Sequence, residues 1–219
     1  MNRFGHFPCS AVLFDLDGVL VDSTRAVERQ WRRWAEEVKI PLHKVLEIAH
    51  GRRTIEVVEL LAPHLDAEAE VRKIEEKEAA DSDGVKVMPG AAALLAAIPS
   101  GRWCVVTSGT KHLAASRLQG ARLPVPKILI AADDVKEGKP HPEPYLKGAQ
   151  GLGANPAECL VIEDAPQGIQ SARAAGMKVI GLASTYSASQ LAEADAVVKQ
   201  LEQLAVRNGG SGKLEVSVK

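Results

Sequence analysis

The sequence is poor in the features that mark secreted, membrane-spanning or nucleic-acid-binding proteins. It holds only three cysteines in 219 residues, Cys9, Cys104 and Cys159. An odd count without paired spacing argues against a disulfide framework and for a reducing compartment. Cys104 and Cys159 sit in apolar, strand-like runs, where a free thiol behaves as a small hydrophobe. No stretch approaches the roughly 20 apolar residues of a membrane span. The first apolar run breaks at Asp15, too early for a secretory signal. Neither sign of charge dominates, with 27 Lys and Arg against 28 Asp and Glu, so no broad field exists to attract nucleic acid or an anionic membrane. There is no internal repeat and no low-complexity segment. The expectation is a cytoplasmic monomer with neither nucleic-acid nor membrane partners.

What is present is an ordinary globular composition, 46% hydrophobic and 25% charged, long enough for one large domain or a domain with an insertion. From Pro89 onward, strands and helices alternate. Apolar strand-like runs at 103–107, 127–131, 159–162, 177–182 and 196–198 are separated by helical stretches at 111–119, 142–152 and 167–175, with a further helix before the last strand. Continuous apolar strands alternating with helices predict an α/β fold, a Rossmann-like parallel sheet covered by helices on both faces. The run at 11–14 joins that sheet as its first strand. Between it and Pro89 the character is helical. Val27, Trp31, Trp34 and Val38 fall on one face of a helix over 24–38. A second helical stretch runs from Pro41 to about residue 50, a third to Leu61 with Thr54 as its N-cap, and a fourth to about Ala80 with Asp66 as its cap. Residues 23–85 therefore read as an all-α four-helix insertion, a mobile-lid candidate, in a core made of 1–22 and 86–219. At the end of the chain Leu214, Val216 and Val218 alternate with polar residues, which predicts a hairpin strand.

Chemistry gathers at the strand ends, where open α/β sheets bind ligands. After the first strand come Asp15 and Asp17, on the same side of an extended chain and about 6–7 Å apart. Two such carboxylates call for a nearby positive charge, and a divalent cation with oxygen ligands supplies it. Gly18 lets the backbone turn sharply beside them. After the second strand come Ser108, Gly109 and Thr110, after the third Lys139 and His141, and after the fourth Glu163 and Asp164. Each feature has a plainer reading. Ser108, Thr110 and the Glu163–Asp164 pair can serve as helix caps, Lys139 as a surface lysine and His141 as a loop residue. Four such features at four successive strand ends are hard to produce by accident. Together they fit phosphoryl transfer, which needs a placed nucleophile, positive charge on the phosphoryl oxygens and a metal ion. Ser108 and the amide of Gly109 can donate to phosphate at a helix N-terminus, Lys139 can offset negative charge, and Asp15, Asp17 and Asp164 can hold Mg²⁺.

Asp15-Leu16-Asp17-Gly18-Val19, Ser108, Lys139 and Glu163-Asp164 resemble, in order and spacing, the four motifs of the haloacid dehalogenase superfamily. The resemblance covers essentially the whole chain. It implies that Asp15 attacks phosphorus to form a phosphoaspartate. It implies that Asp17 protonates the leaving alcohol and then deprotonates the hydrolytic water, with its backbone carbonyl as a metal ligand. Leu16, Ser108, Gly109 and Lys139 are implied as phosphate contacts. Asp15 and Asp164 are implied as direct Mg²⁺ ligands, with Glu163 either behind them or an alternative ligand. An acid at Asp17 favours phosphate esters over haloacids, and Val27 stands where the mutase branch has a histidine. The stretches 50–54, 106–110, 134–148 and 163–166 are closest to the glycerol-3-phosphatase, 2-deoxyglucose-6-phosphatase and bacterial sugar-phosphatase group. That likeness implies Gly51 and Arg52 as substrate contacts, with a solvated helix end expected for one of Arg52 and Arg53. Trp31 is a candidate cleft wall or a packing partner of Trp34. The expected function is Mg²⁺-dependent hydrolysis of a small sugar or polyol phosphate. A sugar phosphomutase and a non-catalytic phosphometabolite-binding protein are the rivals.

Overall fold

Ala11–Phe14 (β2) has all four side chains buried, so it must lie inside a sheet covered on both faces. The computed structural model, which describes residues 5–49, 51–81, 83–209 and 212–219, places it there. It follows a short strand, His6–Cys9 (β1), and leads to Val21–Asp22 (β3). Four helices come next, Thr24–Val38 (α1), Leu42–Ala49 (α2), Thr54–Leu61 (α3) and Ala67–Ala80 (α4). The chain re-enters through Lys86–Val87 (β4), which pairs antiparallel with β3. Then follow Ala91–Ala97 (α5), Trp103–Val106 (β5), Lys111–Gly120 (α6), Leu129–Ile130 (β6), Glu143–Gly151 (α7), Cys159–Glu163 (β7), Pro166–Ala174 (α8), Lys178–Leu182 (β8), Ala196–Val198 (β9), Leu204–Asn208 (β10) and Leu214–Val218 (β11).

The main sheet has the order β6-β5-β2-β7-β8-β9, and all its pairings are parallel. The chain winds outward from β2 through β5 to β6, then returns to β2's other side with β7. This is a topological switch point, where a crevice opens at the carboxyl ends of the strands. Alternation along β2 divides the core. Val12 and Phe14 pack with α5, α6 and a small antiparallel sheet of order β1-β11-β10, while Ala11 and Leu13 pack with α7 and α8. The inserted helices have a third core of their own around Trp31, Trp34, Val45, Val57, Val58 and Ile74. All three cysteines are free and buried. Among the described residues no helix is long and apolar enough to cross a membrane.

Several local expectations are corrected. Thr54 is the first residue of α3 rather than its cap; its hydroxyl donates instead to Glu75 on α4 at 2.6 Å. Asp66 does cap α4, accepting from the amide of Ala69 at 3.0 Å. The expected strand over 127–131 shrinks to Leu129–Ile130, an edge strand paired only with β5. The further helix expected between β8 and β9 does not form among the described residues 183–195. There Gln190 accepts from the amide of Ser187 at 3.1 Å, Asp195 accepts from Val179 at 2.9 Å, and Leu191 is buried between them, so side-chain bonds hold a series of turns. His50, Ser82, Gly210 and Ser211, all within stretches considered above, lie outside the described residues.

Candidate active site

Asp15 follows β2 and is fixed by β7, its amide donating to the carbonyl of Ile162 at 3.0 Å. Lys139 is buried against it. Its Nζ donates to Asp15 Oδ1 at 2.6 Å, Glu163 Oε1 at 2.7 Å and the carbonyl of Val106 at 3.1 Å. A lysine has three N–H donors, and all are used inside the protein. Glu163, 1% exposed, accepts also from the Tyr145 hydroxyl at 3.1 Å and from the amides of Asp164 and Ala165 at 2.8 Å each. The aromatic ring of Tyr145 lies 5.0 Å from the ammonium. Both oxygens of Glu163 are thus committed within the chain.

Carboxylate oxygens of Asp15, Glu163 and Asp164 lie within 4.8 Å of one another. Burial pushes Asp15 up to about 7, and neighbouring Glu163 and Asp17 add to the rise although Lys139 opposes it. Burial likewise raises Asp164 well above the usual carboxylate range, reinforced by Glu163 and Asp15, while a hydrogen bond from Thr185 pulls the other way. Burial alone would lower Lys139, but Asp15 and Glu163 hold it above its ordinary value. Three clustered acids against one ammonium leave a negative excess that burial makes costly. Hard oxygen donors and that excess fit a divalent cation such as Mg²⁺. Gly18 permits the crowding. Its φ is +81°, and a Cβ there would stand 2.7 Å from both Asp164 Cγ and Thr185 Oγ1.

Asp17 faces the same cavity. Its Oδ1 accepts from Ser23 Oγ at 2.7 Å, and its Oδ2 accepts from Arg117 of α6, whose other terminal nitrogen donates to Glu78 of α4. Ser108 and Gly109 line the cavity at the N-terminus of α6, beside Thr110. Thr110 caps α6, accepting from Leu113 at 3.4 Å. The Ser108 hydroxyl donates to the carbonyl of Gly51 at 3.0 Å, so a serine of the core meets the inserted helices directly. Leu16 has its side chain fully buried, which leaves only its main chain for contact with a ligand. Arg52 lines the cavity with its Nε buried and unpartnered among the described residues. Arg53 does not end in solvent, as expected for one of the two arginines. It pairs with Glu56 at 2.6 Å and donates to the Lys136 carbonyl at 3.0 Å. Trp31 both lines the cavity and packs edge-on against Trp34 at 5.5 Å. His141 is structural, accepting from the amide of Glu143 at 3.2 Å.

Sequence reading missed Ser23, Glu78, Arg117, Thr185 and Tyr186, all of which line the cavity. Two of them left a signal. Arg117 falls on the buried stripe of α6 with Leu113, Ala114 and Leu118, and Glu78 on that of α4 with Ile74. A charge on an apolar stripe needs a partner.

The chain is similar to known proteins over most of its length. A family model described as haloacid dehalogenase-like hydrolase matches residues 9–176. Hexitol phosphatase A of Escherichia coli is 42% identical over 212 residues, covering 93% of this chain and 97% of that protein. Glycerol-1-phosphate phosphohydrolase 2 of Saccharomyces cerevisiae is 38% identical over 212 residues, covering 90% and 84%. Among solved structures, a hydrolase from Pseudomonas syringae superposes with a TM-score of 0.79 at 29% identity, covering 88% of this chain and 94% of that one.

Proposed function

The chain belongs to the haloacid dehalogenase-like hydrolases, and we propose that it hydrolyses small sugar and polyol phosphates with Mg²⁺ through a phosphoaspartate formed on Asp15. It is a phosphoric monoester hydrolase, and sugar phosphates are the substrate class its relatives' names support. The observation that carries the finer reading is the buried cluster of Asp15, Lys139, Glu163 and Asp164. One oxygen of Asp15 is held by the lysine, which leaves the other to attack.

In the first step that oxygen bonds to phosphorus while the ester oxygen departs with its electron pair. Asp17 gives the departing alkoxide a proton. In the second step Asp17, now a carboxylate, takes a proton from water, whose oxygen attacks the same phosphorus. Inorganic phosphate leaves and the Asp15 carboxylate is restored. Asp15, Asp164 and the Asp17 carbonyl would hold Mg²⁺, which when bound supplies positive charge against the phosphoryl oxygens. Lys139 keeps Asp15 oriented and offsets its charge, and Glu163 with its four donors keeps Lys139 in place rather than serving as a ligand. Ser108 receives the phosphate, joined by the Gly109 amide once it leaves Thr107 Oγ1, to which it donates at 3.2 Å, and Arg52 offers its unpartnered donor to the substrate. The insert 23–85 acts as a cap over the core 1–22 and 86–219. Releasing Ser108 from the Gly51 carbonyl frees the hydroxyl for phosphate, which links substrate entry to cap movement. Val27 lines the cavity and cannot move a proton, which disfavours the mutase reading.

The test is phosphate release across a panel of hexitol, glycerol and hexose phosphates, with Mg²⁺ and after chelation. Turnover of at least one class that chelation abolishes and Mg²⁺ restores is expected, with phosphoenzyme trapped in wild type and absent in Asp15→Asn. Full activity without metal, or phosphoenzyme in Asp15→Asn, refutes the mechanism.

A further inference from the structure

We infer that Tyr145 sets the metal preference of the site: its hydroxyl fills the last acceptor position on Glu163, holds that carboxylate off the cation and so favours Mg²⁺ over Ca²⁺. The inference rests on the reading of Asp15 and Asp164 as the carboxylate ligands of the metal.

Distance does not keep Glu163 from a cation. One of its oxygens lies within 4.8 Å of oxygens of Asp15 and Asp164. What withholds it is the number of bonds it already accepts. An ionised carboxylate has about four lone-pair sites. Oε1 accepts from Lys139 at 2.7 Å and from Tyr145 at 3.1 Å, and Oε2 accepts from the amides of Asp164 and Ala165 at 2.8 Å each. Every site is filled from within the chain.

The four donors are not equivalent. Lys139 also holds Asp15, and the two amides are fixed by the turn from β7 into α8. The Tyr145 hydroxyl bonds to Glu163 alone among the described residues. Tyr145 is 0% exposed, so bulk water does not compete for this bond. Its ring also lies 5.0 Å from the Lys139 ammonium and restrains the other donor to Oε1.

The two cations differ in what they ask of such a site. Mg²⁺ keeps several waters and takes about one or two carboxylates, whereas Ca²⁺ accepts roughly six to eight oxygens, bidentate carboxylates among them. Two free carboxylates beside a saturated third suit the smaller ion. Without the hydroxyl, Glu163 can turn Oε1 towards Asp15 and Asp164. The added anionic ligand then serves Ca²⁺ more than Mg²⁺.

The test is calorimetric titration of the whole protein with MgCl₂ and with CaCl₂, in wild type and in Tyr145→Phe, which keeps the ring beside Lys139 and removes only the hydroxyl. Ca²⁺ affinity should rise about 10-fold while Mg²⁺ affinity changes little. Adding Glu163→Gln to Tyr145→Phe removes the third carboxylate and should cancel the Ca²⁺ gain. A crystal of Tyr145→Phe with Ca²⁺ should place a Glu163 oxygen about 2.3–2.6 Å from the ion, and this measurement serves if the double variant does not fold. Equal weakening of both cations in Tyr145→Phe marks a merely structural loss and overturns the inference. So does an unchanged ratio of affinities, a Ca²⁺ gain that survives Glu163→Gln, or a Glu163 that stays off the ion in the crystal; each leaves the Mg²⁺ reading standing. A wild-type protein that binds neither cation overturns that reading and the inference with it.

Discussion

Replacing Gly168 by alanine tests the cluster beneath the nucleophile without touching any of its side chains. Gly168 lies in the first turn of α8, directly over Glu163. A Cβ there would overlap Oε1 and Cδ of Glu163 and stand 2.5 Å from Oε2, whereas real Cβ contacts essentially never fall below 3.0 Å. A free glutamate would swing aside at little cost. This one accepts from Lys139, Tyr145 and two backbone amides, and a hydrogen bond to a charged group is worth about 1.5–3 kcal/mol. Forfeiting two of the four, or distorting all of them, gives about 3–6 kcal/mol of destabilisation. That is a large share of a total stability of about 5–15 kcal/mol and corresponds to a fall in Tm of roughly 6–24 °C for a chain of this size. Activity should fall as well, because Lys139 loses the acceptor that holds it beside Asp15. Gly120→Ala is the control. Nothing lies within 4 Å of a Cβ at that position, so it should be neutral or stabilise by up to about 1 kcal/mol. Urea unfolding and phosphate release on both variants decide the matter. A Gly168→Ala enzyme with wild-type stability and rate would show that Glu163 is not pinned and that the clamp on Lys139 is unimportant.

Lys139→Met should destabilise the metal-free protein by about 3–5 kcal/mol, because it leaves Asp15 and Glu163 buried without their cation; urea denaturation measures this. Asp15 rises from its ordinary 3.8 to about 7 in the folded protein, so the folded state binds the proton more tightly than the unfolded chain. The metal-free protein should therefore lose stability as pH climbs through that window, and the gain in Tm on adding Mg²⁺ should grow over the same range as metal displaces proton; thermal scans at pH 5 and pH 7.5 with and without Mg²⁺ check the sign. A crystal with a bound phosphate mimic should show Ser108 Oγ on the anion and no longer on the Gly51 carbonyl; a mimic bound with that bond intact would refute the exchange.

Features carried by local chemistry were legible in the sequence. The helix over 24–38 was visible because Val27, Trp31, Trp34 and Val38 repeat at helical spacing; its end at Lys39, in the left-handed region at φ 59°, was not. The parallel sheet was visible because its strands are buried on both faces and so lack alternation. Asp15, Ser108, Lys139 and Asp164 were visible because each follows a strand. Elements of two residues, β3 and β4, fall below any periodicity. The strand β1 contains Pro8 and meets only β11, so it resembles a loop. The links from Asp17 through Arg117 to Glu78 join residues separated by 100 and 39 positions, and no local pattern encodes such a partnership. The charged residues on apolar stripes were the one trace of it.

The narrow ribbon of β3 and β4 has a consequence for how the chain reaches its fold. Val12 pairs with Trp103 in the main sheet, and bringing such distant strands together means closing a very long loop. Where Val21 and Asp22 lie against Val87 and Lys86, the segment between them begins and ends at one point. If the four helices collapse first around Trp31, Trp34 and Val57, the ribbon short-circuits that loop and spares the later pairing about 1 kcal/mol of closure entropy. A nucleus in the helical segment would then speed assembly of a sheet to which it contributes no strand. Mutations in that segment's core should slow folding, whereas those on the outer strands β8 and β9 should mainly hasten unfolding.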